Sequence, residues 1–235
     1  MLAIVALIVV AAAFALFTTH LRPYNASPTP EEQAEIDQQQ QIQQQKINQA
    51  TQAKIQHSPA SAADLNTFAA NSKGAVHATL VVEGKGAIGL ELYPRAAPKT
   101  VSHFVSLAKR HFYDGILFHR VVPGFVAQAG DPTSKKVDQA QLKSMTPEQA
   151  ASQLNLGNGG SGQTVPLETT LPNIPNSVGL ARGKSEDSGD SQFYINLGNN
   201  VPLNGKYCVF GRVVSGQDVV GRIAMGDRIT SLTVP

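Results

Sequence analysis

Cysteine occurs once in the 235 residues, as Cys208, and tryptophan does not occur at all. One cysteine excludes an intramolecular disulfide and any cysteine-built metal site. Its place in the apolar run KYCVFGRVV makes it a small core residue rather than a nucleophile. Charge is sparse as well: 15% of residues are charged, with a formal net charge of +2. There is no dense Lys/Arg cluster with interleaved aromatics, which argues against nucleic acid as a partner.

Several catalytic patterns are also missing. His77, His103, His111 and His119 show neither H-x-x-x-H nor H-E-x-x-H spacing, so no metal site is expected, and no G-x-S-x-G is present for a serine hydrolase. GNGGSG, Gly157 to Gly162, satisfies G-x-G-x-x-G, but Pro166 follows closely, with no strand before the motif and no helix after it. GLARGKS, Gly179 to Ser185, has Val178 where a phosphate loop needs glycine. Neither motif makes a nucleotide site, and no cofactor is expected. His119 points away from the face that Arg120 occupies on an extended strand, and is read as a satisfied structural histidine.

The amino terminus lacks charge altogether. Met1 to Phe17, MLAIVALIVVAAAFALF, continues through Thr18 and Thr19 to nearly the roughly 20 residues that span a bilayer as a helix. A basic n-region is absent, which favours an uncleaved anchor over a signal peptide. Ala13-Phe14-Ala15 does offer the small residues of a cleavage site, so a cleaved and secreted form is the alternative. Residues 1–19 are therefore read as a hydrophobic anchor or signal segment, a helix in the membrane with the body outside the cytoplasm. Residues 20–73 are rich in Gln and Ala; Ile36, Ile42, Ile47 and Ile55 hold no heptad or clean helical repeat. A solvated stalk or linker is expected there.

Apolar patterning resumes at about residue 74, and the chain's 42% hydrophobic content is enough for one substantial core. VHATLVVE and GAIGLELY alternate around Gly84-Lys85, predicting a hairpin. In APKTVSHFVSLAKR, the residues Val101, Phe104, Val105 and Ala108 share one helical face. QFYINL and YCVFGRVV add strands, and VVGRIA near the end suggests a second helix. Many short strands with two helices point to a closed β-barrel rather than βαβ units. The segment from Pro132 to Gly162 lacks strand character. Thr146-Pro147-Glu148-Gln149 within it predicts a short helix in an otherwise exposed loop, with Thr146 as N-cap and Pro147 at the first position.

FHRVVPGFVAQAGD, Phe118 to Asp131, holds two apolar runs about Pro123-Gly124, each with one large polar side chain. In a tight hairpin Arg120 lies within one register step of Gln128, so the two heads can share a face beside Phe125 and Val126. The structural alternative pairs Arg120 with Asp131 or Glu91. Local reasoning leaves these two readings open.

Together with TVSHFVSLAKRHFYDG, VGLARG, DSQFYINL and LNGKYCVFGRV, in that order, this segment resembles the cyclophilins, a family of peptidyl-prolyl cis/trans isomerases. The likeness spans residues 74–235, with an insertion at about 134–157. It implies a mainly β fold, an eight-stranded antiparallel barrel capped by two helices. It also implies an isomerase acting on X-Pro bonds of polypeptides, or alternatively a non-catalytic proline-peptide-binding chaperone or scaffold. By the resemblance, Arg120, Phe125 and Gln128 are the catalytic set, and Val126, Ala181, Arg182, Gln192, Tyr194, Leu203 and Tyr207 bind substrate. Val126 stands where familiar members have methionine, Tyr194 where they have phenylalanine, Pro202 where they have tryptophan, and Tyr207 where they have histidine. Tyr207 is similar to bacterial members. A monomeric body is expected.

Overall fold

The computed structural model describes residues 60–235 apart from residue 170, together with residues 33–35, 37–39 and 42–43, which are helical and exposed. The hydrophobic segment Met1–Thr19 and most of the Gln/Ala-rich tract lie outside the described residues. No helix among the described residues is long and apolar enough to cross a membrane. The chain divides into two units, Met1–Gln49 and Ala50–Pro235, and the fold belongs to the second.

Eight antiparallel strands form one sheet in the order β3-β4-β6-β5-β7-β2-β1-β8. They are β1 Val76–Val82, β2 Gly86–Leu92, β3 Arg120–Val122, β4 Val126–Ala129, β5 Ser177–Leu180, β6 Phe193–Asn196, β7 Val209–Ser215 and β8 Ile229–Thr233. The expected β1–β2 hairpin is present, with Lys85 N–H donating to the Val82 carbonyl at 3.0 Å. The sequence reading of a closed barrel needs correction. The ladder ends at β3 and β8, which do not pair with each other, and the sheet is an open half-barrel. Among the described residues only a single bridge, Leu117 to Arg228, and a few neighbouring backbone bonds cross the gap. Leu117 N–H is bonded to Ser134 Oγ at 3.0 Å, so the segment before β3 cannot prolong the ladder there.

Two helices were expected on this sheet. The first, α2 (Pro98–Lys109), buries Val101, Phe104 and Ala108 as its spacing predicts. Ala97 offers no side-chain cap; Glu168, distant in sequence, accepts instead from Lys99 N–H, Thr100 N–H and Thr100 Oγ1. The second is a single turn, α5 (Gln217–Val220), which starts just before VVGRIA. The core beneath α2 centres on Phe104, whose ring lies 4.9 to 5.4 Å from those of Tyr113, Phe193 and Phe210.

Two segments read as solvated take part in packing. Within the stretch read as stalk, Ala62–Asn71 is a helix, α1, whose Phe68 is buried against Tyr93, Leu171, Ile174 and Val209. Within the insertion lie α3 (Gln139–Lys143) and α4 (Pro147–Leu154); Thr146 and Gln149 form the expected capping box at the start of α4. The insertion is more than an exposed loop. Leu142, Ala150 and Leu156 bury against Leu117 and Met225, with Val121 of β3 packed alongside. Gln139 bonds to the Gly226 carbonyl and to Glu83. These contacts cover the seam that the open sheet leaves between its two edges.

Candidate active site

Pro123-Gly124 makes the turn between β3 and β4. Proline presets its own backbone, Gly124 takes a φ of +71°, and Phe125 N–H closes onto the Val122 carbonyl at 3.0 Å. The register this turn fixes pairs Arg120 directly with Gln128. Gln128 in turn pairs with Tyr194 on β6, and Tyr194 with Gly179 on β5. Directly opposed residues project to the same side of a sheet, so Arg120, Gln128, Tyr194 and Gly179 form one row across four strands. The residues between them, Ala127, Ile195 and Val178, face the core. Gly179 leaves room for the tyrosine: a Cβ there would stand 2.2 Å from Tyr194 Cζ.

The Arg120 side chain makes no salt bridge or hydrogen bond among the described residues; its guanidinium sits over the Phe125 ring, 5.2 Å from the centroid. The two carboxylates proposed as structural partners are engaged elsewhere. Glu91 accepts from Tyr93 Oη, and Asp131 accepts from Thr133, Gly157 and Gly159. Gln128 Nε2 donates to Gln192 Oε1 at 2.9 Å, and Gln192 Nε2 donates to the Gly159 carbonyl at 2.8 Å. Tyr207 presents one ring to Arg182, 4.9 Å away, and the edge of an aromatic pair to Tyr194, 6.3 Å between centroids. Arg182 is further held by the carbonyls of Lys206, Gly183 and Lys184.

The expected site residues thus fall into linked groups. Gln128, Ala181, Arg182 and Gln192 line one cleft of about 450 Å³, together with Ser188 and Asp190. Arg120 and Phe125 lie beside it at the β3–β4 turn. Leu203 is half-buried on a short 3-10 turn, Val201–Leu203, and its carbonyl accepts from Tyr207 N–H. Val126 and Tyr194 are 2% and 4% exposed, so they form the floor rather than a surface. Pro202 is exposed at the rim.

Sequence reasoning passed over the role of GNGGSG. Its glycines let the backbone wrap two carboxylates: Asp131 takes Gly157 and Gly159 N–H, and Asp190 takes Ser161 and Gly162 N–H. A Cβ on Gly159 would stand 2.1 Å from Asp131 Oδ1. Burial pushes the Asp131 carboxyl up, but the hydrogen bonds from Thr133, Gly159 and Gly157 outweigh it and hold it below the usual carboxylate range. Asp131 lies three residues after Gln128, and a glycine run following an acid at long range was the only signal available.

His119, expected to be a satisfied structural histidine, is buried, and its ring nitrogens lie near the Leu117 backbone and the Gln192 side chain without reaching well-aligned hydrogen-bond geometry. Burial holds it down to about 4, against the upward pull of Asp131 nearby. Cys208 is buried too, and desolvation pushes its thiol up to about 11. A thiol so shifted is a poor nucleophile. No cluster of three or more metal-ligating side chains occurs among the described residues.

The family model for cyclophilin type peptidyl-prolyl cis-trans isomerases matches residues 77–233. A probable peptidyl-prolyl cis-trans isomerase of Brucella suis is 38% identical over 143 residues, covering 60% of this chain and 68% of the relative. Peptidyl-prolyl cis-trans isomerase B of Bacillus subtilis is 36% identical over 156 residues, covering 66% of this chain and 94% of the relative. Among solved structures, a cyclophilin type isomerase of Cryptosporidium parvum superposes with a TM-score of 0.55 at 20% identity, covering 68% of this chain and 98% of that one. The same protein in the presence of the dipeptide Ala-Pro gives a TM-score of 0.54 at 21% identity, with the same coverage.

Proposed function

The chain belongs to the cyclophilin-type peptidyl-prolyl cis-trans isomerases, and from that premise we propose that Arg120 is the residue through which it turns X-Pro bonds, with Gln128 and Phe125 completing the catalytic set. Rotation about the amide bond before proline is slow because resonance gives it double-bond character, with a barrier of about 18–20 kcal/mol. No bond is made or broken. The site needs to favour only the twisted state, in which the proline nitrogen regains its lone pair and accepts a hydrogen bond. Arg120 is the donor, and its lack of any competing hydrogen bond among the described residues leaves it free for that task.

One such bond is not enough. A charge-assisted hydrogen bond contributes about 1.5–3 kcal/mol, whereas a ten-thousandfold acceleration needs about 5.5 kcal/mol. The rest comes from preorganisation. Gln128, held by Gln192, fixes the position of Arg120 and of the rotating carbonyl. Phe125, Leu203 and Tyr207 grip the proline ring above a floor of Val126 and Tyr194. Ala181 and Arg182, just past β5, run beside the substrate backbone. The observation that carries this reading is the direct register of Arg120 with Gln128. The Ala-Pro dipeptide studied with the related Cryptosporidium parvum protein supports proline-containing polypeptides as substrates. A protease-coupled isomerisation assay on the purified protein tests it; turnover by Arg120→Ala equal to that of the unaltered protein contradicts it.

The reading extends to location. Met1–Thr19 tethers the body to a membrane, on the side away from the cytoplasm, and Tyr207 marks the domain as bacterial-like. The support is the uncharged run at the amino terminus. Protease shaving of intact cells should remove the body, and a body left untouched would place it on the cytoplasmic side.

A further inference from the structure

Three asparagines lie almost wholly buried beside the pocket, Asn173 and Asn196 at 0% exposure and Asn200 at 1%. Buried amides cost free energy unless they are hydrogen-bonded, and a network of them fixes geometry more strictly than apolar packing does. Here they are bonded to one another and to the walls of the site. Asn200 Nδ2 donates to the Phe125 carbonyl at 2.8 Å and also to Asn196 Oδ1. Asn200 N–H donates to the Asn173 carbonyl at 2.8 Å, and its own carbonyl accepts from Leu203 N–H at 2.9 Å. Asn196 Nδ2 donates to Asn173 Oδ1 at 3.2 Å and to Ser177 Oγ at 2.8 Å. Tyr194 Oη donates to the same Asn173 Oδ1 at 2.7 Å. Asn173 N–H reaches Asn204 Oδ1 at 2.7 Å, directly after Leu203.

The network therefore runs from the backbone of Phe125, one wall, to both sides of Leu203, the other. Among the described residues of this network, Asn200 is the one that touches both. Its Oδ1 is buried with no partner, so the side chain gives up part of its own bonding and keeps the bond to Phe125. Tyr194 stands where familiar cyclophilins have phenylalanine, and its hydroxyl is what ties the floor into this network.

We infer that Asn200 is a positioning residue that sets the width of the proline pocket, acting through Phe125 on one side and the Leu203–Tyr207 turn on the other; this rests on the isomerase site proposed above. The walls grip the ring alike in cis, trans and twisted states, so loosening them removes uniform binding, which raises KM and leaves kcat in place.

The test uses the purified full chain with an Ala-Pro-containing tetrapeptide, following affinity by NMR titration and exchange by line shape. Asn200→Ala should bind about fivefold more weakly, the scale of one lost hydrogen bond, with kcat within about twofold. Asn200→Asp, which sets an oxygen against the Phe125 carbonyl, should bind at least as weakly. In a Phe125→Ala background, Asn200→Ala should cost less than it does in the unaltered protein, because only the Leu203 wall is left for it to hold. Unchanged affinity in a folded Asn200→Ala protein, or losses that simply add, overturns the inference. A role confined to stability would lower the melting temperature and leave KM where it was, which also overturns it. Where Asn200→Ala does not fold, Tyr194→Phe decides: about twofold weaker binding is expected, and unchanged affinity overturns the inference. Unaltered protein that binds the peptide without turning it over would sink the catalytic reading, while the affinity ratios would still judge Asn200.

Discussion

Arg120 and Gln128 are direct partners across the β3–β4 hairpin, and Gln128 donates to Gln192 at 2.9 Å. The guanidinium thus has an amide beside it whose orientation is set from a third strand's edge. Gln192→Leu removes that acceptor while keeping the volume. We expect kcat to fall about tenfold, less than for loss of Arg120, with the melting temperature changed little. Stopped-flow isomerisation kinetics check this; an unchanged kcat would mean that Gln128 needs no holding.

Gly159 joins the glycine loop to that amide chain, because its carbonyl accepts from Gln192 and its N–H donates to Asp131. Gly159→Ala forces a Cβ to 2.1 Å from Asp131 Oδ1. The loop must shift, carrying the carbonyl away from Gln192. The expected result is a destabilisation of about 1–3 kcal/mol together with reduced turnover; a variant with normal melting and normal activity would contradict the clamp.

His119 makes stability depend on pH. Its folded value is lowered from 6.5 to about 4 by burial, so between those values the unfolded chain binds more protons than the folded one, and stability falls as pH falls. The loss from pH 6.5 to 4 is on the order of 3 kcal/mol, and above pH 6.5 the group contributes nothing. Asp131 acts at lower pH: its depressed carboxyl stabilises the fold above its unfolded value of about 3.9, and that contribution is lost as pH falls through the folded value. Urea unfolding of His119→Gln should show a flatter pH dependence than the unaltered protein between pH 6.5 and 4. Identical slopes would show that the ring is solvated.

Leu142, on α3 of the insertion, is fully buried in a cluster that packs on Val121 of the same strand that carries Arg120. Leu142→Ala should cost about 2–4 kcal/mol, read by denaturant midpoints. A cost under about 0.5 kcal/mol, the range of a surface change, would mean that the insertion is not part of the folding unit.

Much of this site was legible because it sits in one short hairpin, where a Pro-Gly turn fixes register and register fixes which side chains share a face. Val101, Phe104 and Ala108 were legible for the same local reason, through helical spacing. What escaped depends on pairs distant in sequence. Asp131 with Gly159, Glu168 with the start of α2, and Asn200 with Phe125 leave no periodic trace. Closure of the barrel was misread because strand number says nothing of the gap between β3 and β8, which Ser134 and the insertion decide. Phe68 was lost in a polar tract because a single aromatic among Ala, Asn and Ser carries no pattern, although it alone docks α1.

The central claim is that Arg120 stabilises the twisted X-Pro bond. Protease-coupled isomerisation by Arg120→Ala, beside the unaltered protein and with matched circular dichroism, tests it most directly. The account predicts a folded protein whose kcat/KM falls by about a hundredfold or more, as for loss of a group acting in the transition state. Retention of near-normal turnover by that folded variant would contradict it.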